Sequence, residues 1–351
     1  MKRRSFLIGT AAVAGLGKVD TPAAIETIRQ ELNISLAEER GGYDSDEWNQ
    51  IVLDYGEAYS SAAPTDLIEP LMVDMLGIQV ALRRNERNST QPDLLRAAAL
   101  LSAFTAQTLI NMGHPLEARR WWRTAKSAAD RSGDPYSVLW VRGREILRAM
   151  EIRPIPVILG LIEEAEGMTR NAPPDATVEL IAAKAEVLAI AGRKRDATET
   201  LGKLRNESEK SPGTFSGSVL FWGQERLLGT ESFTYSRLGD RPKAEIATAD
   251  GIRLRAANGN PSIRHQAVLQ VNIAFSLVGS GDVSGGLDQA RAVISGLPEM
   301  QRDARLVSDG RKLLDIIPMS DQRSAVVKEY SEWISSICGL TAHDNGSPPA
   351  T

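Results

Sequence analysis

Two histidines one helical turn apart, with a glutamate beside the first, would hold a zinc ion and activate water on it. The chain has three histidines, His114, His265 and His343, and no two are near each other in sequence. The single cysteine, Cys338, excludes an intramolecular disulfide and a cysteine-based zinc site. The stretch Gly279-Ser280-Gly281-Asp282-Val283-Ser284-Gly285 has the composition of a phosphate cradle. It meets neither dinucleotide nor P-loop spacing, and it reads as a turn between helices with no strand before it. No GxSxG elbow is present for a serine nucleophile. Glu163 and Glu164 are a carboxylate pair, but adjacent residues on a helix do not face each other, so they read as a solvated face. His114 falls in a turn and reads as solvated. These residues predict no catalysis, no cofactor and no metal.

The elements that would carry any site are helical. The 351 residues are 42% apolar and only 5% aromatic. Alanine and leucine are abundant and β-branched runs are scarce, which favours helix. The formal net charge is -4, with no basic block. Direct nucleic-acid binding is therefore not expected, because phosphate contacts need a clustered positive face. No apolar stretch beyond residue 17 reads as long enough to span a bilayer. Trp48, Ile51, Val52, Tyr55 and Tyr59 form one apolar stripe on a helix, with Asp44 and Glu47 at its start in capping-box spacing. Ala63-Pro64-Thr65-Asp66 ends that helix and starts the next, whose stripe is Leu67, Leu71, Met75, Ile78 and Leu82. Residues 83–92 read as a polar loop.

A repeat follows. The predicted turns are Gly113-His114, Gly192-Arg193, Gly239-Asp240 and Gly281-Asp282. Seven residues before each glycine is a small side chain: Ala106, Ala185, Ser232 and Ala274. Five residues after each come Ala118, Ala197, Ala244 and Gly286, and seven further on Ala125, Leu204, Gly251 and Val293. A further unit fits with Arg153 at the glycine position and Ala165 at the last site. The glycine supplies the left-handed conformation that ends a helix. The small residues let two antiparallel helices cross closely. The pattern predicts an all-α fold of tetratricopeptide-like helical-hairpin repeats forming a right-handed superhelix with a concave inner face. The expected organisation is an N-terminal Arg-Arg apolar segment over 1–20, N-terminal helices over 21–90, the repeat array over 91–337 and a disordered tail over 338–351.

In repeats of this kind fixed positions of the first helix face the groove. Counting back from the turns places Gln107, Asn111, Trp140, Glu179, Glu186, Arg226, Phe233, Arg237 and Phe275 there or nearby, with Asn272 beside them. Arginines could take a carboxylate of an extended peptide, and aromatics its apolar side chains. The two-lysine, two-asparagine carboxylate clamp of some such repeats is absent. For Trp140, Phe233 and Phe275 the core reading is the stronger one. Trp121 and Trp122 project about 100° apart on a helix. Trp122 is expected in the core, and Trp121, among arginines, is a candidate for a partner surface.

The block Ala118-Arg119-Arg120-Trp121-Trp122-Arg123-Thr124-Ala125, then Gly133-Asp134, then Trp140-Val141-Arg142-Gly143-Arg144-Glu145, resembles the tetratricopeptide region of actinobacterial Xre-type helix-turn-helix regulators. The resemblance covers roughly residues 20–300. It implies a regulatory protein whose array binds a protein or peptide or forms a homodimer, acting on transcription or development. In that family an Arg-Arg-x-Phe/Leu-Leu stretch stands between the DNA-binding domain and the array. Here it is Arg3-Arg4-Ser5-Phe6-Leu7, which implies that the DNA-binding domain is lacking. The same string matches a twin-arginine export signal, with Thr21-Pro22-Ala23 as a cleavage site. The expectation is a cytoplasmic protein. The alternative is a helical-repeat scaffold or solute-binding protein exported by the twin-arginine route.

Overall fold

A computed structural model describes residues 45–84, 91–172, 174–210, 218–259 and 261–343. The Arg3-Arg4 segment, the Thr21-Pro22 helix start, Asp44 and residues 344–351 lie outside them, while residues 338–343, expected to open a disordered tail, instead end the last helix. The described residues are all helix and turn, with no strand among them. The helices are α1 (Ser45–Ala58), α2 (Pro64–Arg84), α3 (Gln91–Asn111), α4 (Pro115–Ser132) and α5 (Pro135–Ala149). Then come α6 (Ile155–Glu166), α7 (Pro174–Ile190), α8 (Lys194–Lys210), α9 (Gln224–Leu238) and α10 (Arg241–Ala257). The last are α11 (Ile263–Gly279), α12 (Val283–Ser295), the short α13 (Ala304–Lys312) and α14 (Ala325–His343).

The turn glycines do what their spacing implied. Gly113, Gly192, Gly239 and Gly281 have φ of 84°, 69°, 76° and 94°. At each turn the next residue's N–H reaches back five residues, as His114 to Leu109, Arg193 to Leu188, Asp240 to Tyr235 and Asp282 to Leu277. Those bonds satisfy helix-end carbonyls in the Schellman manner. The chain then folds α3 on α4, α7 on α8, α9 on α10 and α11 on α12. Ala106, Ala185, Ser232 and Ala274 are buried, as are Ala118, Ala197 and Ala244. At Gly286 a Cβ would lie 2.8 Å from the Ala274 carbonyl oxygen, so the small residue there is a steric demand.

Successive hairpins stack through their first helices. α3 packs on α5, α5 on α7, α7 on α9 and α9 on α11. The stripes of α1 and α2 join the core beneath α3, with Trp48, Val52, Tyr55, Leu71 and Ile78 buried. That core runs across residue 90, so the helices on both sides of it share one apolar interior. α3 is long and apolar enough to cross a membrane, contrary to the reading that no such stretch lies beyond residue 17, but here it is mostly buried inside the bundle. Beyond α12 the hairpin pattern gives way. A 3-10 turn, Glu299–Gln301, leads into α13, which packs against both α11 and α3. The array thus bends back on its start and encloses an interior.

Candidate functional site

The inward stripes of α5, α7, α9 and α11 meet α13 around that interior and bring a cluster of charged side chains to it. One arginine–glutamate network joins three helices. Arg226 on α9 grips Glu179 on α7 with Nη1–Oε2 at 2.5 Å and Nη2–Oε1 at 2.7 Å. Arg144 on α5 lies 3.5 Å from the same carboxylate and donates to Gln107 Oε1 from Nε at 2.8 Å and Nη2 at 2.5 Å. Burial pushes the Glu179 carboxyl up, but Arg226 and Arg144 outweigh it and hold it below the usual range. Burial lowers the Arg144 guanidinium to about 10 despite Glu179.

The groove is narrower than an open repeat array implies, because two segments enter it. The turn after α1 brings Tyr59 and Ser60 inside. Arg264 donates to the Tyr59 carbonyl, Ser262 Oγ to the Ser60 carbonyl at 2.9 Å and Arg255 Nη2 to Ser60 Oγ at 2.9 Å. The Asn111 amide donates to the Tyr59 hydroxyl at 2.9 Å. The segment from Ser218 to Trp222 enters beside it. The Val219 N–H donates to the Gly56 carbonyl at 2.9 Å, and the Val219 carbonyl accepts from Trp140 Nε1 at 3.3 Å and Arg226 Nη1 at 3.1 Å.

Two adjoining spaces remain. The larger, about 390 Å³, is walled by Met150, Phe233, Arg237 and Phe275, with Arg305 and Lys312 from α13. There Arg237 is stacked between two rings, 3.9 Å from the Phe233 centroid and 3.8 Å from that of Phe275. It donates to Asn272 Oδ1 at 2.5 Å and Ser236 Oγ at 2.8 Å, and burial pulls it down to about 10. The smaller space, about 200 Å³, is walled by Tyr59, Asn111, Arg148, Glu186, Arg264 and Arg305, among others. Met150, Phe233 and Arg305 belong to both walls. On α13, Lys312 Nζ bonds Glu151 Oε2 at 2.5 Å and Asp309 Oδ1 at 3.2 Å. Burial and the Asp309 charge raise the Glu151 carboxyl, while Lys312, Arg305 and Arg237 hold Asp309 low against its own burial.

Of the residues read from the sequence, Asn111, Glu186, Arg226, Phe233, Arg237, Asn272 and Phe275 line this interior. Gln107 and Trp140 lie behind it, Gln107 spent on Arg144 and Trp140 packed edge-on to Phe104 at 5.7 Å. Trp122 is in the core, and Trp121 is half-buried against the core of α1–α5, away from both cavities. Glu163 and Glu164 are exposed, and Gly279–Gly285 spans the turn between α11 and α12. Among the described residues no group of three His, Cys, Asp or Glu could hold a metal ion. His265 is kept neutral, pushed down to about 3 by burial and by Arg255, Arg264 and Arg305. Residues the sequence reading passed over are Arg148, Arg264, Arg305 and Lys312. Their signal was spacing: Arg148 follows Arg144 by four, and Lys312 follows Arg305 by seven, the same-face intervals of a helix. Compared with family models, characterised proteins and solved structures, the chain matches none of them.

Proposed function

We propose that the stacked hairpins form a right-handed, tetratricopeptide-like superhelix, and that the chain is a non-catalytic binding protein whose interior takes a peptide or a segment of a protein partner. The role is regulatory and cytoplasmic, as the resemblance to the repeat region of Xre-type regulators implies, and it acts on transcription through the partner. The observation that carries the binding reading is Arg237 held between Phe233 and Phe275 in the wall of the larger cavity. Two rings fix the guanidinium plane without using its donors, and no carboxylate among the described residues lies within salt-bridge reach of it. An acidic side chain or a free C-terminus would complete it, with aliphatic groups against Met150 and the two rings.

Selection from a random peptide library, with the full chain as bait, tests this. Enriched peptides are expected to pair a carboxylate with aliphatic neighbours and to lose binding to the Arg237→Gln variant. No enrichment, or equal binding by the variant, would overturn the peptide reading. Transcript levels unchanged on deletion of the gene would remove the regulatory role.

A further inference from the structure

Arg148, on the inward face of α5, is a buried charge without a carboxylate in contact among the described residues. It is only 6% exposed. Its one hydrogen bond runs from Nη2 to the Tyr59 hydroxyl at a long 3.4 Å, and its Nε has no partner. No carboxylate among the described residues is within salt-bridge reach of it. The neighbouring arginines are engaged: Arg144 with Glu179 and Gln107, Arg264 with Asp303, Arg305 with Glu151 and Asp309. Glu151 and Asp303 act on it only from beyond contact, and a buried guanidinium with no carboxylate in contact is costly to fold, because lost water solvation is poorly replaced.

The surroundings have a sign. Burial alone would raise the Tyr59 phenol, yet Arg148, Arg264, Arg144 and Arg305 outweigh it and hold the phenol below its ordinary value. The smaller cavity beside Tyr59 is lined by six arginines against three carboxylates, Glu186, Glu225 and Asp303, so arginine predominates in its wall. Arg148, Arg264 and Arg305 all line the smaller cavity, which shares part of its wall with the larger one. The guanidinium's fork matches two oxygens of a planar or tetrahedral oxyanion.

We propose that Arg148 anchors a buried oxyanion seat in the smaller cavity, which takes a carboxylate or phosphate group of the molecule bound in the interior. This rests on the interior being a ligand site. It adds a second anchor, on α5, to the one at Arg237. A ligand that reached both would carry its anionic group at the Tyr59 end and its apolar part between Met150 and the phenylalanines.

The test uses the full chain at constant ionic strength, with inorganic phosphate, acetate and chloride as probes and the melting temperature as readout. Phosphate, acetate or both are expected to raise it saturably above the chloride control. Arg148→Gln is expected to weaken the apparent affinity roughly tenfold or more. A response to phosphate alone identifies a phosphoryl group; a response to acetate identifies a carboxylate. Arg148→Lys keeps the charge and loses the fork, so it carries the test if the glutamine variant does not fold, with affinity expected to fall severalfold. A response no greater than to chloride, or an unchanged affinity in the variant that folds, overturns the proposal. Arg237→Gln separates this seat from the peptide reading. It is expected to keep the anion response, so a failed peptide selection with that response intact sinks the peptide reading and leaves the seat standing.

Discussion

Arg226 and Glu179 are joined oxygen by oxygen, at 2.5 and 2.7 Å, across the contact between α9 and α7. Glu179 is 2% exposed, and Arg144 shares it. Replacing it by glutamine keeps the shape and removes the only negative charge among the described residues that Arg226 and Arg144 directly touch. Breaking a buried pair from one side leaves an uncompensated charge, so Glu179→Gln is expected to cost about 3–5 kcal/mol. Urea unfolding monitored by helical circular dichroism measures it. Arg241 and Glu245 are 2.7 Å apart with side chains 43% and 47% exposed, and Glu245→Gln is expected to cost less than about 1 kcal/mol. Equal losses for the two would mean that the interior is as wet as the surface.

The glycines separate packing from propensity. Gly202, inside α8, has nothing within 4 Å of an added Cβ, so Gly202→Ala should stabilise by about 0.5–1 kcal/mol through helix propensity. At Gly286, inside α12, the added Cβ would meet Val278 Cγ2 at 2.5 Å and the Ala274 backbone oxygen at 2.8 Å. The backbone cannot give way cheaply, so Gly286→Ala should destabilise by about 1–3 kcal/mol. Thermal melts of the two variants should move in opposite directions.

Ser262 ties the start of α11 to the distant α1–α2 turn. Its hydroxyl oxygen accepts from the His265 N–H at 3.2 Å, capping α11, and its proton goes to the Ser60 carbonyl at 2.9 Å. Ser262→Ala loses both, at about 1–3 kcal/mol for cap and buried bond together. Hydrogen exchange should quicken at the first turn of α11, and removal of the side chain should leave α7 and α8 unchanged.

What was legible in the sequence was local. A left-handed turn needs glycine and a close helix crossing needs a small residue, so both are written as residue types at fixed offsets, and the four hairpins follow from them. The inward positions of α7, α9 and α11 were legible for the same reason. Closure was not. Tyr59 meets Arg264, 205 residues away, and Ser60 meets Ser262, 202 away. Pairings at that distance leave no periodic trace. Nor does the sequence mark which inward arginine is paired: Arg226 and Arg148 look alike until α7 brings Glu179 to one and nothing to the other.

Two half-buried groups titrate in opposite senses. Burial raises Glu186 to about 7, against the pull of Arg305 and Arg237 and a bond to Thr230, with Glu179 adding to the rise. Folding therefore favours its protonated form. That contribution is full below the unfolded value near 4.5 and is lost as pH rises through about 7. His265, facing Arg255, Arg264, Arg305 and Glu225, is lowered to about 3, so its contribution is full above about 6.5 and is lost as pH falls. Between about 4.5 and 6.5 these two slopes oppose each other, each near 1.4 kcal/mol per pH unit, and their contributions largely cancel. Glu186→Gln removes one slope, so stability should then fall steadily as pH drops below about 6.5. His265→Gln removes the other, so stability should fall as pH rises from about 4.5 towards 7. Urea midpoints measured from pH 4.5 to 7.5 resolve both. Two variants with flat profiles would mean that neither group is buried as deeply as the interior requires.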